Sequence, residues 1–176
     1  LPDRTLRADA RRNTERIVEA ATAVFGEDGA GASFEEIARR AGVGSATLYR
    51  RFPTRSALFE AVYEEQVQQL VASLPENLTP QGALEEWFRR FVRFITGKRA
   101  FAEEMAHDTE LVREARARIY AIADPLVHAG HEGGFVQPDI TADDVLRMFS
   151  GVGLADYPRA GQRDRVIEIC LRGLRP

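Results

Sequence analysis

The chain predicts an all-α protein of two regions, and three observations carry that expectation. Apolar residues recur at helical spacing over most of the length, no run alternates in the manner of a strand, and the charge changes sign partway along. Through Arg55 there are ten arginines against eight acidic residues, a balance of +2, whereas fourteen basic and nineteen acidic residues beyond it leave −5. The boundary is therefore set at 55/56, with an N-terminal region at 1–55 that includes an N-terminal arm and a helical region at 56–176.

Each element follows from its own residues. Ile17, Ala20, Ala21, Val24 and Phe25 line one face of a first helix. Ser33 and Glu36 then stand at capping-box spacing, the serine accepting from an amide and the glutamate reaching back. The helix they open carries Phe34, Ile37, Ala38 and Ala41 inward and stops at Gly42, a residue suited to a left-handed C-terminal position. A short third helix runs to Phe52, because Pro53 excludes helical geometry in the residue before it. Thr54 caps a fourth, whose apolar face is Leu58, Phe59, Val62, Tyr63, Val67, Leu70 and Leu74.

Beyond "PENLTPQG" the pattern stays helical. "ALEEWFRRFVRFI" has apolar residues at 84, 87, 88, 91, 92, 94 and 95, a stripe too broad for a surface helix, so this segment is expected at the centre. "FAEEMAHDTELVREARARIYAIADPLVHAG" reads as one or two helices, interrupted near Asp108 or at Pro125, and "GHEGGFVQPDI" as a glycine-rich loop. Thr141 and Asp144 open a further helix with Val145, Met148, Phe149 and Val152 inward, and a last helix carries Val166, Ile167, Cys170, Leu171 and Leu174.

Composition excludes several classes. The 44% hydrophobic and 29% charged residues are those of a globular chain, not a disordered one. No apolar run nears the roughly 20 residues of a membrane span, and "LPDRTLRADARR" lacks the apolar stretch of a secretory signal, which predicts a cytoplasmic protein without a membrane partner. The single cysteine, Cys170, cannot form an intramolecular disulfide and reads as a core or interface residue. Lys98 is the only lysine among twenty-four basic residues, a bias that points to a GC-rich genome.

The segment "VGSATLYRRF" at 43–52 carries the functional argument. A helix ending in glycine, a tight turn and a short following helix outline a helix-turn-helix, whose second helix enters the DNA major groove. Gly44, Ser45, Ala46 and Thr47 let the front of that helix approach base edges without bulk, and the hydroxyls can bond bases or phosphates. Tyr49 can reach a phosphate, whereas Leu48 and Phe52 pin the helix to the core. Arg50 and Arg51 either read guanine or neutralise phosphate, two uses the pattern does not separate. Arg55, at the start of the fourth helix beside Thr54, can clamp a phosphate together with free backbone amides.

"RIVEAATAVFGEDGAGASFEEIARRAGVGSATLYRRFPTRSALFEAVYEE" resembles the DNA-binding region of TetR-family transcriptional regulators over roughly residues 13 to 65. The most specific part is "GVGSATLYRRFPTRSALFEAV", where the family has Thr-Leu-Tyr, a variable residue, often a histidine, then Phe and a Lys or Arg at the start of helix four. The resemblance implies that Ser33, Ser45, Ala46, Thr47, Tyr49, Arg50, Arg51 and Arg55 face DNA. Arg51 stands where many relatives have histidine. It further implies a homodimer, most often a repressor, that leaves a palindromic double-stranded operator when a small-molecule effector binds the C-terminal domain. "EWFRRFVRFITGKRAFAEEM" is similar, more weakly, to the C-terminal domain of an actinobacterial TetR subgroup, which names no effector.

Two further sites follow as expectations. An effector pocket is expected among Trp87, Phe88, Phe91, Phe94, Phe101, Met105, Tyr120, His128, Met148 and Phe149, residues that serve equally as ordinary core, with His107 and Asp108 as polar neighbours. Val145, Phe149, Val152, Val166, Ile167, Cys170, Leu171 and Leu174 are expected to pair the last two helices with those of a second copy, Gly151 and Gly153 permitting close approach. His128 and His131 share a helix face without a third ligand, so no metal and no cofactor is expected. An enzyme is the rival class, but no spacing joins a nucleophile, a base and an orienting acid. "GAGAS" at 29–33 has the glycines of a phosphate loop, yet joins two helices and lacks the lysine.

Overall fold

A computed structural model describes the backbone of residues 2–28, 31–98 and 109–176, and the side chains among them from residue 9 onward, residue 28 excepted. Phe101, Met105, His107 and Asp108 lie outside the described residues. The described elements are all helical: α1 (Pro2–Asp28), α2 (Phe34–Ala41), α3 (Ser45–Arg51), α4 (Arg55–Val71), α5 (Pro80–Lys98), α6 (Glu110–Glu132), α7 (Ala142–Leu154) and α8 (Gln162–Gly173). They fall into two compact units. The first reaches Gln66 and the second takes up Val67 onward, so α4 belongs to both.

In the N-terminal unit α1 packs on α2, and α2 on α3. Its core is Ile17, Val24, Phe25, Ile37, Leu48, Leu58, Phe59 and Val62, with the Phe25 and Phe59 ring centroids 4.5 Å apart. Ahead of Ile17, where an arm was expected, the chain continues α1 back to Pro2. "LRADARRNTER" is rich in good helix formers, and the Asp9–Arg12 and Arg11–Glu15 pairs sit at helical spacing.

The start of α2 shows half of the expected capping box. Ser33 Oγ accepts from the Glu36 amide at 3.1 Å, but the Glu36 carboxylate accepts from Arg39 and Arg40 instead of reaching back. Two guanidiniums outbid one backbone amide for a carboxylate, since charge-assisted pairs are the stronger bonds. At the other end Gly42 adopts φ +63°, ψ 38°. The Val43 amide donates to the Ala38 carbonyl and the Gly42 amide to Arg39, closing α2 in a Schellman turn. The Thr54 hydroxyl accepts from the Ala57 amide at 3.1 Å and caps α4.

α4 stops at Val71, short of Leu74. Pro75 pushes Leu74 out of helical geometry, which leaves that side chain half-buried beyond the helix. In α5, Thr79 caps and Pro80 takes the first position, where a missing N–H is harmless. α6 runs through Pro125 without a break and continues to Glu132, so the glycine-rich loop begins later than its sequence suggests. Thr141 and Asp144 form the complete reciprocal box at the start of α7.

The C-terminal unit is built on α5, which packs against α6 and α7, with α8 on α7. Trp87, Phe88, Ala123 and Phe149 are wholly buried at its centre. Gly153 makes its close approach here, inside the protomer: a Cβ at that position would sit 2.6 Å from Ile95 and 3.2 Å from the Val92 carbonyl on α5. Gly151, by contrast, faces open space. Met148, expected inward, is half-buried, because one step along the helix from Phe149 turns it by roughly 100° toward the α8 side.

Candidate nucleic-acid interface

Three helices hold the candidate reading surface. α2 ends in the left-handed Gly42, Val43 is half-buried, and the extended Gly44 (φ −68°, ψ 145°) turns the chain into α3. Leu48 is wholly buried and Phe52 nearly so, which fixes α3 by its inner face. Ser45, Ala46, Tyr49, Arg50 and Arg51 are then exposed and Thr47 half-exposed. The first turn of α3 thus presents a hydroxyl, a methyl and free backbone amides, the small polar surface that a major groove admits.

The aromatic and cationic side chains are organised differently from one another. The Tyr49 ring lies 5.2 Å from Phe34, and its hydroxyl stands 3.5 Å from Glu35 Oε1 while the residue remains 45% exposed. Arg51 Nε donates to Thr14 Oγ1 on α1 at 2.9 Å, and its guanidinium carbon lies 5.6 Å from the Phe52 ring centroid. Arg55 turns inward. Its Nη1 donates to the Ala32 carbonyl at 2.7 Å, Nη2 donates to the same oxygen, and the head sits over Phe34. That guanidinium therefore ties α4 to the segment before α2, an anchoring role that its sequence position did not announce. Ser33 and Thr54 are exposed caps whose hydroxyls already accept from Glu36 and Ala57.

Behind the surface, Arg40 joins α1 to α2 through a two-pronged pair with Glu27 at 2.7 and 2.8 Å. Arg40 and Arg39 together hold the Glu36 carboxyl down to about 2, while Arg40 lowers that of Glu27. Both acids stay charged over the working pH range and brace the frame that carries α3.

The C-terminal candidates separate into three places. Trp87, Phe88, Phe91, Phe94 and Phe149 form one cluster: Phe88 stacks on Phe149 at 5.0 Å, and Trp87 stacks on Phe91 at 5.7 Å and meets Phe88 edge-on. The Trp87 indole N–H has no acceptor among the described residues. Tyr120 stands apart, donating to Asp143, whose carboxyl is lowered by that bond and by Arg147. His128 is exposed beside Glu132.

Met148 lies elsewhere again, in an apolar groove of about 340 Å³ between α7 and α8 with Ile140, Val145, Ile169, Cys170 and Leu174. Burial there raises the Cys170 thiol above its ordinary value. Of the expected pairing residues, Val145, Phe149, Val152, Ile167, Leu171 and Leu174 are buried within the protomer, while Val166 and Cys170 are half-exposed. Sequence reasoning passed over Leu154 and Ile169, which stand 52% and 65% exposed. The available signal was that Ile169 follows Val166 by one helical turn on the face opposite Leu171. No described helix is long and apolar enough to cross a membrane, and no cluster of three metal-ligating side chains occurs among the described residues.

A helix-turn-helix braced by α1 and α4, in a chain that carries a second helical unit, defines a DNA-binding transcriptional regulator. Residues 17–62 match the family described as bacterial regulatory proteins, tetR family, and residues 79–176 match the C-terminal domain of SbtR-like transcriptional regulators. The chain belongs to the TetR family. It is 37% identical to a TetR transcriptional regulator of Streptomyces coelicolor, over 93% of this chain and 98% of that one, with a TM-score of 0.79. A TetR regulatory protein of Mycobacterium vanbaalenii is 33% identical over 97% and 99%, at 0.75. The fatty acid degradation regulator FadR of Bacillus halodurans, 20% identical over 92% and 99% at 0.63, shares the fold. No curated protein matches the chain in sequence.

Proposed function

We propose that this protein is a homodimeric, cytoplasmic repressor that binds a palindromic DNA operator through α3 and leaves it when a small molecule occupies the C-terminal unit, with no catalytic step. The exposed front of α3, with Ser45, Ala46 and Thr47 over a buried Leu48, is the observation that carries this reading. Ser45 and Thr47 contact bases, whereas Tyr49, Arg50 and Arg51 supply phosphate contacts at the flank. Ser33, Gly44 and Thr54 complete the surface with backbone and hydroxyl groups, and Arg55 adds its remaining donors beside the α4 N-terminus.

The apolar outer face of α7 and α8 supports the dimer. Leu154 and Ile169 are exposed and Val166 and Cys170 half-exposed, apolar surface that a second copy covers by two-fold symmetry. Two-fold symmetry then asks for a palindrome with half-sites one helical turn apart or somewhat more. The aromatic cluster around Trp87 supports an apolar effector, whose preference for the released conformation weakens DNA binding by the factor with which DNA weakens effector binding.

Selection of duplexes from a random library, then affinity of the enriched duplex across a salt series, tests the reading. An enriched palindrome with a steep salt slope is the expected result. Weak binding without sequence preference would overturn it in favour of a helical interaction protein.

A further inference from the structure

We infer that Thr14, on α1 and outside the matched helix-turn-helix residues, is a positioning residue that pre-aims Arg51 at the DNA backbone. The inference rests on the DNA-binding reading above. Thr14 precedes residue 17, where the family match begins, so nothing in that match assigns it a role.

The geometry is a relay of three groups. Arg51 Nε donates to Thr14 Oγ1 at 2.9 Å, and the Thr14 hydroxyl donates to the Ala10 carbonyl at 3.0 Å. A hydroxyl has one proton, and with that proton committed to Ala10 the lone pairs of Oγ1 remain for Arg51. The hydroxyl is thereby held as an acceptor by the α1 backbone itself. The guanidinium carbon also lies 5.6 Å from the centroid of the buried Phe52 ring. An exposed arginine is thus held at two points, while Nη1 and Nη2 keep four N–H donors in a planar fork suited to a phosphate.

The surroundings fit an anion. Arg51 and Arg50 line a cleft of about 330 Å³ with Asp9, Asn13, Thr14 and Thr47, so two guanidiniums, one carboxylate and three uncharged polar side chains line it. The Asp9 carboxylate is paired with Arg12. A histidine at position 51 would be a shorter and stiffer ring; an arginine gains reach but carries more rotamer freedom, which must be lost on contact with DNA. Thr14 removes part of that freedom beforehand, by preorganisation.

The test compares Thr14→Val, which keeps the shape and loses the acceptor, with Thr14→Ser, which restores it. Binding is measured to the duplex that the parent chain enriches from a randomised library. Thr14→Val is expected to raise Kd about 3- to 10-fold, the equivalent of one hydrogen bond, and Thr14→Ser to return it to within about twofold of the parent. The salt slope stays the same in both, because the Arg51 charge remains. In an Arg51→Ala background, Thr14→Val is expected to have no further effect.

Nitrogen-15 spectra without DNA give a second readout: the Arg51 Nε–H signal is expected to be protected in the parent and in Thr14→Ser, and lost to exchange in Thr14→Val. Equal affinity of Thr14→Val and parent, an effect that persists without Arg51, or an unchanged Nε–H signal would each overturn the positioning role while leaving the DNA reading intact. A parent chain that enriches no duplex overturns both.

Discussion

The outward face of α3 and the outward face of α7 and α8 are made of opposite materials. On α3 the exposed side chains are a serine, an alanine, a tyrosine and arginines, and the apolar Leu48 and Phe52 are inside. On the last two helices apolar residues point both ways: Phe149, Ile167 and Leu171 are buried while Leu154 and Ile169 are exposed. A face that meets water or a polar ligand can be read from residue type, because buried and exposed positions then differ in chemistry. A face that meets another apolar surface cannot, because core and interface draw on the same residues.

The largest expected effect lies in the C-terminal unit. Phe88→Ala removes a wholly buried ring stacked on Phe149, and should cost about 3–5 kcal/mol in urea unfolding, followed by the emission of Trp87, the only tryptophan. A cost below about 1 kcal/mol would show that the cluster yields easily, as the wall of a ligand cavity would. Next comes Arg55→Ala in the N-terminal unit, with an expected loss of about 1–3 kcal/mol in thermal unfolding, since the Ala32 carbonyl loses both its donors. Unchanged stability would free that arginine for DNA alone, and the salt slope of duplex binding would then fall by about one unit.

Gly42→Ala forces a side chain into the left-handed region that turns α2 toward α3, and should cost about 1–2 kcal/mol by the same assay. Such a loss with normal helicity would place the strain in the turn. The smallest effect concerns Glu36, whose half-exposed side chain is paired at the surface with Arg39 and Arg40. Its folded value is depressed to about 2 from an ordinary 4.5, so its contribution is present above pH 4.5 and disappears as pH falls toward 2. Glu36→Gln should therefore be slightly less stable than the parent at neutral pH, and the two should converge in acid. Parallel curves across that range would remove the Glu36 pairs from the stability of the frame.

Much of the fold was legible because short-range rules set it. The Gly42 turn, the Thr54 cap, the Thr141 and Asp144 box and the buried stripes of α2 and α5 follow from spacings of three and four residues. Expectations failed where a partner distant in sequence, or a stronger neighbour, competed. Glu36 was taken by two arginines, and Gly153 met α5 instead of a second copy. Of the two places where the sequence allowed a break, the one near Asp108 agrees with the Thr109 cap that opens α6. Pro125 lies inside the helix, since packing of a long apolar face outweighs one lost backbone bond.

The sequence by itself determined an all-helical chain, the helix-turn-helix and its family, because periodicity, caps and the run through "TLYRRF" are local properties of the chain. Only the tertiary structure decided that Arg55 turns inward to Ala32, that Arg51 leans on Thr14, and that Ile169 rather than Leu171 faces outward. The physical reason is reach. A guanidinium on a long stem has several partners within its radius, and an apolar residue has no chemistry to mark its direction, so both choices depend on where other helices come to rest.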